Sequence, residues 1–435
     1  MHHKYNFETL DTGAKAMFVN LPHFRTTSIR IVVRSGAFHE ESNHIGSAHF
    51  LEHMTFAGTD DLPSQIIQEK YANDNDIYQN AFTSNEFTKY VVNGYNLDSA
   101  AFLIIQNVFR PLLLEKDFEL QKQPVISEIS SYLSNPHYRA NIAHWLAVFG
   151  NEAACNIAGE ISDIKKMTHK NLVNFYDKNY RPENCWIVVC SGEDIKTQRN
   201  KINSLLSGVK NKPKATETPV TTKKIEFNPD GNKYSLIKVD TPKDSTTQIC
   251  MYYPLDSPKD VVDRVCYQVL VTSLSNFIHS VLRTELDLVY GANCTSDVNF
   301  DISFDKNKRQ YYLRFFTEAI EDNVIKVLDA IQEKILDVDI PEHWIEAALK
   351  NKLRDPDYWL QDNPYMTIDN IVNSLMNNGI NHLDFFEEKK ASEKLKVSDI
   401  NKLKKSIFTN SPVLTASSPS QKVLDDIKVW TDKLK

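Results

Sequence analysis

Two histidines and a glutamate lie within five consecutive residues, His49-Phe50-Leu51-Glu52-His53. Positions four apart share one face of a helix, so the imidazoles of His49 and His53 can reach one metal ion. Glu52 places a carboxylate beside the same point. Zinc is commonly held by imidazole and carboxylate groups, and a reactive zinc site has three protein ligands and one open position. The five residues therefore predict part of a zinc site, and the third ligand must come from elsewhere.

The order His-x-x-Glu-His is the inverse of the His-Glu-x-x-His arrangement found in many zinc enzymes. An ordinary explanation stands beside this one. The same helix carries a normal apolar stripe, formed by Ile45, Ala48, Leu51 and Met54, and the polar residues could simply cover its other face. Short motifs also occur by chance. The five residues alone leave both interpretations open.

Composition limits the class of protein. The chain has 435 residues, a formal net charge of −7, 41% hydrophobic residues and 25% charged residues, as in ordinary globular proteins of two to four domains. No run of Lys and Arg could follow a phosphate backbone, so we expect no nucleic-acid partner. No segment approaches the roughly 20 continuous apolar residues of a membrane helix, so we expect no membrane span.

Cysteine usage and the first residues bear on the compartment. None of the six cysteines forms a Cys-x-x-Cys pair, and several lie in apolar surroundings, which indicates buried free thiols and a reducing environment. The first residues lead into polar sequence without an apolar signal region. We therefore expect a cytoplasmic protein, unless a targeting segment has been removed.

Hydrophobic patterning predicts strands and helices in both halves of the chain. A β-branched run at 26–35 predicts a core strand, and the motif helix is predicted from Ile45 to just before Gly58. Further predicted strands cover residues 77–82, 87–95, 185–191, 234–239, 247–253, 290–299 and 310–316. Further predicted helices cover residues 64–71, 97–109, 116–133, 140–149, 170–178, 260–286 and 318–336.

The order of these elements recurs after roughly 200 residues, which indicates an internal duplication. Residues 209–222 are polar, contain a proline and lack periodicity, and we interpret them as a linker. The predicted domains are therefore 1–208 and 223–435. The second half has no His-x-x-Glu-His segment, so the metal site is assigned to the first domain.

Several segments together resemble one family of proteins. Residues 46–59 (GSAHFLEHMTFAGT), 80–90 (NAFTSNEFTKY) and 176–184 (YDKNYRPEN), with Arg283 and Tyr290 seven residues apart, resemble the pitrilysin, insulysin and mitochondrial processing peptidase family. The chain length is similar to that of half-size bacterial members. The resemblance implies an α+β fold of two related domains, each a mostly antiparallel sheet packed by helices. It also implies a zinc-dependent endopeptidase with one Zn²⁺ per chain.

The resemblance supplies the third zinc ligand. Glu128, within Val125-Ile126-Ser127-Glu128-Ile129, lies 75 residues after His53 (128 − 53), where the family has its ligand. On its own, Glu128 would be read as a solvated helix residue. Glu52 would then act as general base toward a water molecule. Two departures from the family are Gln121, where a glutamate is usual, and Pro124, which predicts a helix kink or a helix restart.

Substrate contacts are also implied by the resemblance. Asn80 and Ala81 would bind the backbone of an extended peptide by strand addition. Arg283 and Tyr290 would bind a peptide carbonyl and the developing oxyanion. Without the resemblance, Asn80 would be a turn residue, Arg283 a surface residue and Tyr290 a core residue. The acidic net charge favours basic peptides.

Half-size members pair into dimers, so we expect a homodimer, or else a heterodimer, that encloses short or unfolded peptides. Arg283 and Tyr290 of one subunit could then complete the zinc site of another. Two alternatives stay open at this point. One is a dedicated processing peptidase for a single precursor. The other is a non-catalytic subunit that binds peptides or serves a structural role, although such relatives typically lose one or more of the metal residues.

Overall fold

The computed structural model of the protein describes residues 4–41, 44–150, 156–209, 227–299, 310–362, 364–378 and 385–433. These residues form two compact units, each an α+β arrangement of one sheet with packed helices. The predicted fold class is thereby confirmed. The predicted domain boundaries stay a prediction, because all of the proposed linker except Val209 lies outside the described residues.

The first unit contains a six-stranded sheet. Its strands are β1 (Lys4–Thr9), β2 (Lys15–Asn20), β3 (Thr27–Val33), β4 (Tyr78–Thr83), β5 (Thr88–Gly94) and β6 (Cys185–Ser191). Their order is β1-β2-β6-β3-β5-β4, and all neighbours are antiparallel except β2 and β6. β3 and β6 are buried along their whole length, which fits their β-branched sequences and their central places in the sheet. β4 lies at one edge.

The described residues of the first half of the sequence form eight α-helices. They are α1 (Ser47–Thr55), α2 (Gln65–Asp74), α3 (Leu97–Phe109), α4 (Glu115–Ser134), α5 (Pro136–Phe149), α6 (Ile161–Lys166), α7 (His169–Asn179) and α8 (Ile195–Ser207). Local sequence explains several starts: Ser64, Asn96, Asn135, Thr168 and Asp194 each accept a backbone N–H bond at a helix N-terminus.

The second unit contains a five-stranded sheet. Its strands are β7 (Tyr234–Lys238), β8 (Thr247–Leu255), β9 (Ala292–Asn299), β10 (Gln310–Ala319) and β11 (Val413–Ser418), in the order β7-β11-β8-β10-β9. The helices of the second half are α9 (Val261–His279), α10 (Val324–Ile331), α11 (Glu342–Asp362), α12 (Pro364–Asn378), α13 (Phe385–Ser392), α14 (Val397–Ile407) and α15 (Gln421–Lys433). Short π-helical turns follow α9 at Ser280–Glu285 and α10 at Gln332–Leu336.

The two sheets share one topology. In the first sheet, β6 pairs parallel with β2 and antiparallel with β3. In the second sheet, β11 pairs in the same way, parallel with β7 and antiparallel with β8. β3, β5 and β4 then correspond to β8, β10 and β9, and α1 corresponds to α9. The element order predicted as a duplication is therefore present in the fold. Most strands and helices predicted from the pattern are present with small shifts of their ends. The helix predicted at 318–336 is wrong at its start, because Glu318 and Ala319 belong to β10 and α10 begins at Val324.

Each unit contains one helix from the opposite half of the sequence. The first unit consists of the described residues within Met1–Tyr132, Cys155–Thr222 and Asp357–Leu383, and so includes α12. The second consists of those within Leu133–Ala154, Lys223–Pro356 and Asp384–Lys435, and so includes α5. α12 packs on β3 and β6, while α5 packs on β7 and β11. Neither unit is a continuous stretch of chain.

One helical stretch, Val261–Glu285, is long and apolar enough to cross a membrane by length and composition alone. More than half of its most apolar window is buried inside the protein. Leu270, Leu274 and Ile278 belong to the hydrophobic core of the second unit. The stretch therefore has a packing role in this fold, as core helices of similar composition do.

The cysteines that the structure describes are buried and form no disulfide with one another, as predicted: Cys185, Cys190, Cys250, Cys266 and Cys294. Cys155 lies outside the described residues. Burial raises the pKa of the Cys185, Cys190, Cys250 and Cys266 thiols, for Cys266 to about 12, so these four stay protonated at neutral pH.

A buried arginine attaches α12 to the first sheet. Arg30 projects from β3, is 2% exposed, and donates from Nε and Nη2 to the two carboxylate oxygens of Asp369 at 3.1 and 3.2 Å. Its Nη1 donates to Asn93 Oδ1 at 2.8 Å and to the carbonyl of Val92 at 3.4 Å. Lys89 adds a second cation 3.4 Å from Asp369. A guanidinium this buried needs such partners to offset its lost hydration.

We predict that Asp369→Asn lowers the free energy of unfolding at pH 7 by about 1–2 kcal/mol, because Arg30 stays buried and loses its anionic partner. The effect is below that of a fully buried pair since the Asp369 side chain is 39% exposed. Burial alone would raise the pKa of Asp369, but Arg30 and Lys89 outweigh it and hold that pKa below its ordinary value.

Because the folded-state pKa is depressed, this stabilisation is present above the unfolded pKa of about 3.9 and is lost as the pH falls through the folded value. Urea unfolding of parent and variant from pH 7 down to pH 3 measures this. The exposed Asp426→Asn on α15 is the control. Equal stability of parent and Asp369→Asn at pH 7 would contradict the prediction.

Candidate metal centre

The start of α1 is held by a carboxylate from outside the helix. Glu40 accepts the backbone N–H of Gly46 at 2.8 Å and that of Ala48 at 2.7 Å, one on each carboxylate oxygen. These are two of the N–H groups that a helix start leaves without an intrahelical acceptor. Burial raises the pKa of Glu40 to about 8, and the two backbone donors oppose that rise. The contact fixes where the first turn of α1 begins.

His49, His53 and Glu128 come together, as the sequence predicts. One candidate ligand atom from each lies within 4.8 Å of the others. The Nε2 atoms of His49 and His53 are 3.3 Å apart, and Glu128 Oε2 lies 3.6 Å from the first and 3.2 Å from the second. Ligands about 2.0–2.1 Å from a tetrahedral zinc ion are about 3.3 Å from one another. The spacing of these three atoms therefore fits a zinc ion.

A backbone carbonyl orients the first histidine. Nδ1 of His49 lies 3.3 Å from the carbonyl oxygen of Ala158. A proton on Nδ1 makes this a hydrogen bond and leaves a lone pair on Nε2, the atom that faces His53 and Glu128. Ala158 can lie close to His49 because Gly159 and Gly46 contact each other. A Cβ on Gly159 would lie 2.6 Å from the Cα of Gly46. Both glycines have positive φ, +93° for Gly159 and +97° for Gly46.

The second histidine and the glutamate are also prepared for binding a cation. Burial, and then the neighbouring His49, lower the pKa of His53, so its imidazole is neutral and has a lone pair at pH 7. Glu128 lies on α4, and its Oε1 accepts a 2.7 Å bond from the hydroxyl of Tyr132, one turn later. That bond leaves Oε2 directed at the histidines. A carboxylate with one oxygen tied in this way is held in a defined orientation.

α4 continues through Pro124 from Glu115 to Ser134. The predicted helix restart at this proline is therefore wrong, since the preceding turn already has helical geometry and only one backbone bond is lost. Gln121 lies two turns before Glu128 on the same helix and is half-buried. The Glu128 carboxylate has polar contacts with His49, His53 and Tyr132.

Glu52 lies beside these three residues with its carboxylate held from the sheet. The hydroxyl of Thr83, the last residue of β4, donates to Glu52 Oε2 at 2.5 Å. Burial raises the pKa of Glu52, and the Thr83 bond opposes that rise. One turn of α1 below, the hydroxyl of Thr55 donates to the Glu52 carbonyl at 2.6 Å and contacts Tyr90. Thr83 links the edge strand directly to the metal helix.

Thr83, Ala158 and Tyr132 were not singled out in the sequence. Tyr132 follows Glu128 by four residues, which is a signal that helical spacing could have provided. Thr83 belongs to the quoted segment 80–90, so the resemblance marked the segment without a role for this residue. Ala158 acts through its backbone, which no side-chain pattern reveals.

The predicted substrate residues Asn80 and Ala81 both lie in the middle of β4. Asn80 is exposed, donates to the Tyr78 hydroxyl at 3.1 Å, and accepts the backbone N–H of Ala81 at 2.9 Å. Asn80 is thus a strand residue, and the alternative of a turn residue is wrong. Ala81 is buried, since its side chain points to the other face. Their roles toward a peptide stay predictions.

Arg283 and Tyr290 lie together in the second unit. The Arg283 guanidinium is 5.5 Å from the centre of the Tyr290 ring, and its Nη1 contacts Asp287 at 2.9 Å. Tyr290 is 90% exposed, so the alternative of a core tyrosine is wrong. Neither the Tyr290 ring nor the Arg283 guanidinium is buried, so a ligand could reach both. The roles predicted for these two residues stay predictions.

Within the described residues, His49, His53 and Glu128 form a group of His, Cys, Asp or Glu side chains close enough to share one ion. Two neutral nitrogen donors and one carboxylate oxygen form a typical catalytic zinc ligand set. The residues present therefore fit the metal that the sequence predicted.

Comparisons with known families agree with this site. The sequence model described as insulinase, peptidase family M16, matches residues 15–153, which include the metal ligands. The model described as peptidase M16 inactive domain matches residues 166–352. The second match agrees with the absence of a His-x-x-Glu-His segment from that half of the sequence.

Curated relatives are named zinc proteases. The chain is 24% identical over 222 residues to an uncharacterised zinc protease of Rickettsia felis, covering 50% of this chain and 54% of that protein. It is 30% identical over 237 residues to the Haemophilus influenzae protein named zinc protease PqqL, covering 48% of this chain and 23% of that protein. The chain thus spans about half, or less, of the length of the curated relatives it matches.

Solved structures share the fold over nearly the whole chain. A protease from Helicobacter pylori has a TM-score of 0.81 at 19% identity and covers 96% of this chain and 100% of its own. An M16-like peptidase from Alicyclobacillus acidocaldarius has a TM-score of 0.77 at 16% identity, covering 97% and 99%. At these identities the likeness establishes the fold alone.

We predict that Gly159→Ala weakens zinc binding about 10–100-fold, the range found when partners behind metal ligands are lost. The added Cβ meets the Gly46 backbone and moves the Ala158 carbonyl away from His49. Competition with a chelating zinc indicator measures the affinity, and circular dichroism checks folding. Gly231→Ala is the control, because Gly231 also has positive φ (+65°) but has nothing within 4 Å. Unchanged affinity in a folded Gly159→Ala would contradict this role of the glycine pair.

Proposed function

This chain belongs to the insulinase family, peptidase family M16, and we propose that it is a zinc-dependent endopeptidase acting on short or unfolded peptides. The observation that carries this proposal is the grouping of His49, His53 and Glu128 within 4.8 Å, with the Glu52 carboxylate on the same helix. Non-catalytic relatives typically lose one or more of the metal residues, whereas this chain has all four side chains in this arrangement.

The side chains around the metal site would have separate roles in catalysis. His49, His53 and Glu128 would hold one Zn²⁺, which supplies a Lewis acid and activates water as a nucleophile. Glu52 accepts the proton of the attacking water and delivers it to the amine of the leaving peptide. Thr83 keeps the Glu52 carboxylate facing the site through its bond to Oε2. Burial of Glu52 favours proton uptake, as a general base near neutral pH requires.

The edge of the first sheet suits an extended substrate. β4 pairs with β5 on one side, and its other side is the sheet edge. A peptide added there would bind mainly through backbone bonds, which suits many sequences as long as the chain is unfolded. Thr83 ends this strand beside Glu52, so a peptide following β4 would be led toward the metal ligands. Asn80 and Ala81 are then contacts for the peptide backbone.

Arg283 and Tyr290 are proposed to contact the peptide carbonyl and oxyanion from a second subunit of a homodimer. Support comes from the resemblance of the Arg-x6-Tyr segment, from the high exposure of Tyr290 and from the partial exposure of Arg283. The cytoplasm is proposed as the compartment on the basis of the free buried thiols.

We predict that Glu52→Gln keeps zinc and loses cleavage, by about 10²–10⁴-fold. The amide has nearly the shape of the carboxylate but cannot accept the proton. Metal analysis and cleavage of an unstructured quenched peptide are measured on parent and variant. The exposed Glu115→Gln at the start of α4 serves as control. Cleavage by Glu52→Gln at the parent rate would remove Glu52 as the base.

Other outcomes separate the alternatives. Zinc in both proteins with cleavage in neither would favour a subunit that needs a partner, or a dedicated processing peptidase that rejects the test peptide. Absence of zinc from both would favour the non-catalytic alternative. Fragmentation of a mixed peptide pool by the parent would favour general degradation over a single processing event.

We predict that Thr83→Val lowers kcat about 10–100-fold with little change in KM, whereas Thr83→Ser keeps most of the activity. A hydrogen bond to a charged group is worth about 1.5–3 kcal/mol, and it is retained only by a hydroxyl. Valine keeps the shape and the strand preference of threonine. Equal kcat values for the valine and serine variants would show that the Thr83 hydroxyl does not position Glu52.

A further inference from the structure

A cavity of about 470 Å³ lies next to the edge strand, between α2 and the first residues of β4. α2 contributes one wall, with Gln68, Glu69 and Ala72, and β4 contributes the other, from Tyr78 to Asn80. The cavity therefore borders the same strand that is proposed to bind the peptide backbone. Side chains of a peptide along β4 would project beside it, because alternate residues of a strand point to opposite faces.

The wall of this cavity is rich in amides and contains one ionisable acid. The amides are Gln65, Gln68, Asn73, Gln79 and Asn80, and the acid is Glu69. The Glu69 carboxylate accepts a hydrogen bond from the neutral amide of Gln65 at 2.9 Å. The nearby cation Lys70 is instead paired with Asp74. In the described part of the chain, Glu69 thus has no salt-bridge partner, and its charge is available to a ligand.

Gln68 gives a second, independent observation. Its side chain is 1% exposed, and neither the amide oxygen nor the amide nitrogen has a hydrogen-bond partner among the described residues. A buried amide without partners is unfavourable, because the hydrogen bonds that it made to water in the unfolded chain are not replaced. Gln68 is one of the residues that line the cavity, so a donor bound at this wall is a candidate partner for its amide oxygen.

We propose that the cavity between α2 and β4 is a subsite for a basic side chain, arginine or lysine, of the peptide substrate. Glu69 is its specificity-determining residue, and Gln68 provides a neutral acceptor at its wall. An apolar side chain would contact Phe56, Ala72 and Ile77 of the same wall, but it would leave the Glu69 carboxylate and the amides without replacements for their lost hydrogen bonds, which is unfavourable. An acidic side chain would be repelled by Glu69. The inference rests on the proposed function, since it assumes that a peptide lies along β4.

The ratio of kcat/KM for peptides that differ at one position tests the subsite. A quenched peptide of neutral sequence is prepared with Arg, Gln, Leu or Glu at successive positions, and products are identified by mass spectrometry. At one position, Arg is expected to be preferred over Gln by about 10-fold at low salt, and less at high salt because Glu69 is exposed to solvent.

Variants of Glu69 then identify the residue. Glu69→Gln is expected to reduce the Arg-over-Gln ratio about 10-fold, and Glu69→Lys to reverse it in favour of the Glu peptide. Asp74→Asn, which removes a carboxylate from the same helix outside the cavity wall, should leave the ratio unchanged. A parent without preference for Arg at any position, or a preference that survives in both Glu69 variants, would overturn the subsite.

Failure of the proposed cleavage would look different. If the parent cleaves no peptide, Kd values of the same labelled peptides for the Glu52→Gln protein are measured by fluorescence anisotropy. Tighter binding of the Arg peptide that is lost on adding Glu69→Lys supports the subsite without catalysis. Equal Kd values for the Arg and Gln peptides overturn it.

Discussion

A carboxylate oxygen held 3.2 and 3.6 Å from two imidazole nitrogens is the constraint that the first unit has to satisfy. Three electron-rich atoms this close repel one another in the absence of a cation or a proton between them. Their positions must therefore be imposed by groups behind them. Glu40 fixes the start of the metal helix, the Ala158 carbonyl turns one imidazole, and the Tyr132 hydroxyl holds the carboxylate. The sheet contributes Thr83 at the end of its edge strand.

The duplicated topology shows that the metal site depends on particular side chains more than on the fold. α9 occupies in the second unit the place that α1 has in the first, between corresponding strands of the sheet. Its residues serve the hydrophobic core instead, with Leu270 and Leu274 fully buried. The same scaffold thus holds ligands in one copy and packing residues in the other, which is why function had to be argued from the site.

Local spacing accounts for what the sequence could predict. His49 and His53 are four residues apart on one helix, so their convergence follows from helical geometry. Most strands and helices up to residue 336 follow from hydrophobic period and from caps such as Ser64. Glu128 was found only through the resemblance, because nothing local relates it to residue 53. Asp369 is separated from Arg30 by 339 residues, and no pattern near either residue predicts their pairing.

The later part of the chain was the least predictable. β11 lies between β7 and β8 although it is formed by residues 413–418, far from both in sequence. Its hydrophobic run is short, and a buried strand of that length is hard to distinguish from a helix segment by periodicity. The place of α12 in the first unit depends on tertiary packing alone.

The place of α12 also has a consequence for how the protein is made. During synthesis, the sheet of the first unit is complete in sequence once β6 and α8 have left the ribosome, near residue 207. Its covering helix ends at Asn378, roughly 170 residues later, which corresponds to about 10–30 s of translation. Throughout that interval α12 is absent from the face of β3 that carries Arg30, and the Arg30 guanidinium lacks its Asp369 partner. The nascent chain therefore passes through a stage in which this face of the sheet is uncovered, and such a stage favours binding of a chaperone or premature association.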